Sequence, residues 1–536
     1  MKRKLFALLL VIFVFRVADA QTPSPTPLAT PTPVVEKSAQ TLSDLQLRIA
    51  SRLQRAELRR GQVGVKIVSM NSGKVVFEQN SEKYFMPASN MKNFTVATAI
   101  EKLGADYKFV TSVYAPAAPD SDGVVKSLRI FGRGDVSIST AFFPLEDADK
   151  NSASGDTNPD KVYFKGIDRL VDKIVAAGVK KVDGDLIADE SYFSGDPVPG
   201  DWEWDDLQWY YGAEISALPL NDNAIDLTVK PGQVGSACTV RVSPYNPVVR
   251  VMNQCTTSSP GTLRTLKIEK KIDRNILEIT GSLPVGNAGF NGSVTVSRPA
   301  DLFGAILKER LSQRGVVVTG QVRSIKTNSN TAVDPSVEIA KLESPPLSLI
   351  AAKTMKPSQN MYTETLLWTL GEQARTATSV PGGGVTTPLS GDSADLGIAA
   401  VKRFLTEIGV AQDGIIQHDG SGLSRHNLIT PSAVVQLYTY MGRQSRYSQA
   451  WRESLTIGGV DGTLRNRFKG TRASGNVRGK TGTIDQVSAL SGYVRTAAGE
   501  ELVFSMVVNG INEPGVRSSA LDEIVIALAN FEGKID

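Results

Sequence analysis

The chain has 536 residues, 41% of them hydrophobic and 21% charged, and its 59 Lys and Arg against 55 Asp and Glu leave a net charge of +4. These are ordinary globular fractions, and a charge so small and dispersed excludes a nucleic-acid-binding surface as the main theme. At about 100–200 residues per domain the length predicts two to four domains.

The first element is a targeting segment. Met1-Lys2-Arg3-Lys4 is basic, residues 5–15 are apolar, and Ala18-Asp19-Ala20 precedes Gln21. This order predicts a signal peptide over residues 1–20 and export to the periplasm or beyond the cell. The apolar run is too short for a membrane span, which needs about 20 apolar residues, and Arg16 closes it. No cysteine lies near the cleavage point to take a lipid, and no later apolar stretch is long enough to anchor the mature chain. Residues 21–36 alternate Pro with Thr and Ser, which predicts an extended, solvated linker.

From Thr41 to Gly61 the pattern of Leu42, Leu45, Leu47, Ile49, Leu53 and Leu58 predicts a helix. Two strand-like runs follow, VGVKIVSM and GKVVFEQN, with a hairpin turn at Asn71-Ser72-Gly73. Phe85-Met86-Pro87-Ala88 leads into Ser89 and a long, mostly apolar helix that Gly104 stops. Residues 106–342 then alternate strand-like and helical runs and read as an insertion, holding one or two domains of its own. Within it lie the only two cysteines, Cys238 and Cys255; in an exported chain they predict a disulfide, a metal site needing further ligands. Near the C-terminus two strands turn at Ala498-Gly499, and a final helix closes the chain. The pattern predicts an α+β catalytic domain built from both chain ends, residues 37–105 and 343–536, around an antiparallel sheet.

The chemistry rests on three short motifs. Ser89-Asn90-Met91-Lys92 puts a lysine one helical turn from a serine. A serine hydroxyl needs a base, and a lysine whose charged form is disfavoured by burial can serve. No other Ser-x-x-Lys occurs in the chain, and a lysine inside an apolar helix has no ready structural explanation. Ser358-Gln359-Asn360 follows Lys356-Pro357 on a turn between helices, where Ser358 can relay a proton and the Asn360 amide can both donate and accept. Lys480-Thr481-Gly482-Thr483 opens the late strands: Lys480 and the Thr481 and Thr483 hydroxyls suit a carboxylate, and Gly482 lets a substrate approach the strand edge. The Ser89 and Thr483 amides are candidates for an oxyanion hole. Ser474-Gly475-Asn476 is a decoy with no separate loop to cross a cleft. A Ser-His-Asp triad is disfavoured, since the only histidines, His418 and His426, share one short segment and no Gly-x-Ser-x-Gly elbow is present. Two histidines also give no zinc pattern, so no metal is expected.

In this order the three motifs are the signature of active-site serine enzymes that acylate on D-Ala-D-Ala peptides or β-lactams. The chain resembles the class C low-molecular-mass penicillin-binding proteins, the D-alanyl-D-alanine carboxypeptidase/endopeptidase family. YGAEISALPLNDN (211–223), DGSGLSRHNLITP (419–431), GVDGTLRNRF (459–468) and the long interval between the first two motifs carry the likeness further. The resemblance implies a penicillin-binding/serine β-lactamase-like catalytic domain interrupted by nested insertion domains. It implies Ser89 as the acylated residue, Lys92 as its base, Ser358, Asn360 and Lys480 as catalytic partners, and Thr481 and Thr483 beside the substrate carboxylate. Peptidoglycan stem peptides and cross-links would be the substrates and β-lactams the inhibitors, with no cofactor. The acidic-aromatic stretch 201–213 is a candidate to overhang the cleft, with Asp206 and Tyr211 as first choices for a stem-peptide amine; Arg425 and Asp485 are further binding candidates. A serine β-lactamase and a non-catalytic cell-wall binding protein on the same fold are the competing readings.

Overall fold

The strand Glu501–Asn509 shows how the central sheet is built. Val503 and Val507 point into one hydrophobic core, while Leu502, Phe504, Met506 and Val508 point into another. Successive side chains of a strand leave opposite faces, so a run apolar at both parities must be covered on both sides. The computed structural model, which describes Ala39 and residues 41–143, 162–326, 336–377 and 390–535, shows that cover. The expected signal peptide and linker lie outside the described residues.

The sheet has six strands in the order Val75–Gln79, Gln62–Ser69, Glu501–Asn509, Val487–Arg495, Arg478–Ile484 and Thr456–Ile457, all antiparallel. Its second and third strands join residues 62–69 to residues 501–509, so the two chain ends close one sheet. One face carries the helices Leu42–Leu53 and Pro514–Ala529. The first of these begins with a reciprocal cap, Thr41 and Asp44 each accepting the other's backbone N–H. The other face carries the helices Lys92–Leu103, Leu347–Met355, Asn360–Ala377, Ser393–Glu407 and Pro431–Arg443. The α+β pattern expected from the sequence is present.

Between these parts the chain builds a second sheet of five strands, ordered Val322–Ile325, Leu186–Asp189, Leu128–Phe131, Val110–Ala115 and Val337–Glu343. Its first three strands run parallel and the others antiparallel. Inside that span, residues 224–295 form smaller sheets, among them Phe290–Thr295, Ala224–Lys230 and Thr239–Ser243. One core, centred on Leu128, Leu186, Ile225, Leu277 and Phe303, runs beneath all of these. Among the described residues no helix is long and apolar enough to cross a membrane.

Cys238 and Cys255 are buried and bonded to each other, closing a separation of 17 residues. A loop of this size is worth about 3 kcal/mol in the chain-entropy model. Replacing both by Ser should therefore lower the melting temperature while leaving penicillin acylation unchanged, since neither cysteine touches a motif residue; calorimetry and adduct formation on one preparation check both halves.

Candidate active site

Ser89 lies in a single 3₁₀ turn, Ala88–Met91, that runs directly into the helix Lys92–Leu103. Ala88 holds a left-handed φ of 47°, which costs of order 1 kcal/mol or more for a residue with a Cβ. The turn is held from two sides by glycines. A Cβ on Gly422 would lie 1.9 Å from the Ala88 carbonyl oxygen, and one on Gly482 would lie 2.4 Å from that of Pro87. This changes the reason for Gly482: its missing side chain seats the serine turn against the strand. The open edge comes from elsewhere: Thr456–Ile457 pairs with Gly479 and Arg478, and among the described residues no strand continues the pairing along 480–484 on that side.

Lys92 follows one turn later, fully buried. Its Nζ lies 3.0 Å from Ser89 Oγ, 2.6 Å from Asn360 Oδ1 and 2.8 Å from the Ser421 carbonyl oxygen. The last two can only accept, so they take two N–H bonds, whereas a hydroxyl can also donate. A neutral amine has two hydrogens and one lone pair. It fits this set with the lone pair left for the Ser89 proton. Electrostatics agree: burial lowers the Lys92 pKa to about 7, against the opposing pull of the Asp419 and Glu364 charges.

The second motif sits between the helices Leu347–Met355 and Asn360–Ala377, with Ser358 at a left-handed φ of 69°. Each of its members has a partner. Ser358 Oγ accepts from Lys480 Nζ at 2.8 Å, Asn360 Nδ2 donates to the Tyr211 carbonyl at 2.8 Å, and Gln359 Nε2 donates to Asp222 Oδ2 at 3.0 Å. Asp222 also accepts from the Tyr362 and Ser139 hydroxyls. It lies in a turn, residues 221–223, where three successive Asn and Asp residues have positive φ, a conformation these residue types tolerate best. The motif is thus gripped by residues from the middle of the chain.

Lys480 is also fully buried, donates to the Thr481 carbonyl at 2.8 Å, and is held well below its ordinary pKa by burial and then by the Lys92 charge. Thr481 Oγ1 bonds Thr463 Oγ1 at 2.7 Å, and the Thr463 amide bonds the Lys356 carbonyl at 3.0 Å. With the Lys356–Asp461 ion pair, segment 459–468 ties the third motif to the second. Thr483 is exposed at the open edge.

The four rim candidates differ in state. Arg425 pairs with Asp206 and with Glu203, so Asp206 is not a free carboxylate; burial raises its pKa even so, and the nearby Asp485 charge adds to that. Tyr211 contributes its main-chain carbonyl to Asn360, and burial raises the pKa of its phenol. Asp485 is exposed. The decoy Ser474-Gly475-Asn476 is separate: Asn476 bonds the main chain of Arg495. His418 pairs with Asp201 at 2.6 Å, while the nitrogen at Ser89 belongs to Lys92.

Sequence reasoning missed Glu364, Asp419 and Ser421. Glu364 had a visible signal, the one that singled out Lys92: an ionisable residue in an apolar helix, here four positions after Asn360 and hence on its face. Ser421 lies in a loop, and its main-chain carbonyl meets the lysine.

A family model described as the D-Ala-D-Ala carboxypeptidase 3 (S13) family matches residues 45–531. The D-alanyl-D-alanine carboxypeptidase of Actinomadura sp. (strain R39) is 33% identical over 511 residues, 93% of this chain and 87% of that protein. The D-alanyl-D-alanine carboxypeptidase DacB of Haemophilus influenzae is 25% identical over 464 residues, 85% and 87% of the two chains. The crystal structure of penicillin binding protein 4 (dacB) from Haemophilus influenzae superposes with a TM-score of 0.73 at 22% identity, covering 90% of this chain and 98% of that one. It shows the same fold.

Proposed function

Because the chain belongs to the D-Ala-D-Ala carboxypeptidase 3 (S13) family, we propose that it is a serine-type D-Ala-D-Ala carboxypeptidase and endopeptidase that cleaves peptidoglycan stem peptides and cross-links through an acyl-enzyme and is blocked by β-lactams. The observation that carries this reading is the set of contacts at Lys92 Nζ: two pure acceptors and the Ser89 hydroxyl.

Neutral Lys92 takes the Ser89 proton as Oγ attacks the carbonyl of the D-Ala-D-Ala or D-Ala–diaminopimelate bond. The Ser89 and Thr483 amides receive the oxyanion. Ser358, backed by Lys480, passes a proton to the leaving amine, and Asn360 holds the peptide group. Thr481, Thr483 and Lys480 receive the terminal carboxylate at the open edge of residues 480–484. Water then releases the acyl group. Residues 37–105 and 343–536 form the catalytic domain and 106–342 the insertion, with two nested domains; the protein is exported through residues 1–20 and works in the periplasm or at the cell wall.

Incubation with a stem pentapeptide, with cross-linked peptide dimers and with a penicillin tests the reading. Release of D-Ala or of cleaved dimers, together with a long-lived penicillin adduct, is expected. Rapid penicillin turnover without peptide cleavage would make it a β-lactamase; neither adduct nor cleavage would make it a binding protein.

The rim formed by Asp206, Tyr211, Arg425 and Asp485 binds the free-amine end of the stem peptide. Asp206→Ala should then lower kcat/KM on an amine-bearing stem peptide by roughly 10- to 100-fold, the worth of a hydrogen bond to a charged group. Penicillin carries no such end, so its acylation rate should stay near wild type; measuring both substrates separates recognition from chemistry.

A further inference from the structure

Glu364 is fully buried, and among the described residues no cationic side chain bonds it. Its two oxygens are spent on main-chain amides instead: Oε2 accepts from Gly420 N at 2.8 Å and Oε1 from Ser421 N at 2.7 Å. The next residue back, Asp419, is held by the Gly422 and Ser424 amides, Asn427 Nδ2 and Trp202 Nε1. The loop 419–424 is therefore wound around two buried carboxylates, and it presents the Ser421 carbonyl to Lys92 at 2.8 Å. Glu364 lies four residues beyond Asn360, so one helix carries both the amide that touches Lys92 Nζ and the carboxylate that aims the carbonyl touching it.

We propose that Glu364 is a positioning residue for the base: by holding the Gly420 and Ser421 amides it aims the Ser421 carbonyl at Lys92, and its buried charge sets how readily Lys92 gives up its proton. The ionised groups acting on Lys92 are Asp419 and Glu364, while Lys480, which also faces it, is itself lowered by burial and then by the Lys92 charge. Burial drives Lys92 toward the neutral form, and the two carboxylates drive it back. Glu364 is itself pushed up by burial and by the Asp419 charge, against the two amide hydrogen bonds. Two N–H donors on a carboxylate favour its charged form, so the amide hydrogen bonds and burial pull Glu364 in opposite directions. Glu364 thus has two separable effects, one of geometry and one of charge.

The inference rests on Lys92 being the base; failure of that assignment would be read separately, as unchanged acylation in Lys92→Ala. The test is the pH profile of the penicillin acylation rate in the full-length protein for wild type, Glu364→Gln and Glu364→Asp. Glu364→Gln removes the charge and sets its NH₂ against one amide. Its plateau rate should fall on the order of 10- to 100-fold, the scale of a misplaced catalytic group, and its acidic midpoint should move down by about one pH unit. Glu364→Asp keeps the charge but falls one methylene short, so its plateau should fall while its midpoint stays. Wild-type plateaus in both variants would overturn the proposal. So would lowered plateaus with no midpoint shift in Glu364→Gln, the mark of a packing role alone, or equal midpoint shifts in both. Should Glu364→Gln not fold, Glu364→Ala, which leaves room for water on the two amides, takes its place with the same expectations.

Discussion

Replacing Ser89 by Ala leaves a folded protein that forms no covalent adduct with a penicillin. The side chain is partly exposed at the start of a buried helix, and its loss removes one hydroxyl and no core packing. Neither Ser358 nor Ser421 shares the Ser89 arrangement, a hydroxyl one turn from its lysine on the same helix. Ser358 Oγ faces the Lys480 amine, whose other contact is the Thr481 carbonyl, and Ser421 Oγ is buried. Losing the nucleophile of a serine enzyme costs on the order of 10⁶ in rate, which puts residual acylation below detection. Intact-mass measurement after penicillin exposure, followed by peptide mapping of the wild-type adduct, gives the answer; an adduct on any serine but Ser89 would overturn the assignment.

Lys92→Ala should slow acylation by about 10²–10⁴, the usual yield of a positioned general base. The pH dependence carries the sign. Wild-type Lys92 accepts a proton only when neutral, and burial brings its pKa to about 7. The wild-type rate should therefore be low at pH 5.5, rise through neutrality and level off above it. The variant has no such group, so its residual rate should lose that step. Removing a buried amine also leaves the Asn360 and Ser421 oxygens without their donor, so thermal melting must accompany the kinetics. A rate near wild type, or an unchanged step near pH 7, would show that another group is the base.

Much of this arrangement is visible in the chain, and the part that is visible has a common property. Ser89 and Lys92, and Lys480 to Thr483, are each brought together by a single element, so the helical or strand period alone places their side chains. The capped first helix, the hairpin at 71–73 and the two late strands are legible for the same reason. What is not legible depends on contacts between distant segments. Nothing local says that the Ser421 carbonyl will meet a lysine more than three hundred positions earlier, or that Thr463 will bond Thr481. Asp206 and Arg425 could each be chosen, but their pairing could not. Gly482 is legible as a position that calls for no side chain, yet the atom that requires this, the Pro87 carbonyl, belongs to the distant serine turn.

The grip of the middle segment on the second motif has a consequence for anyone trimming this enzyme. Splicing the chain so that residue 105 met residue 343 would keep every motif letter and all six strands of the central sheet. It would also delete the Tyr211 carbonyl that holds the Asn360 amide and the Asp222 carboxylate that holds Gln359. Ser358, at its positive φ, would then be free to relax into an easier conformation, away from Lys480. The long interval is no passenger on a smaller catalyst. It is one of the walls against which the catalyst is assembled, and a miniature version would have to be supplied with a substitute wall before it could be expected to work.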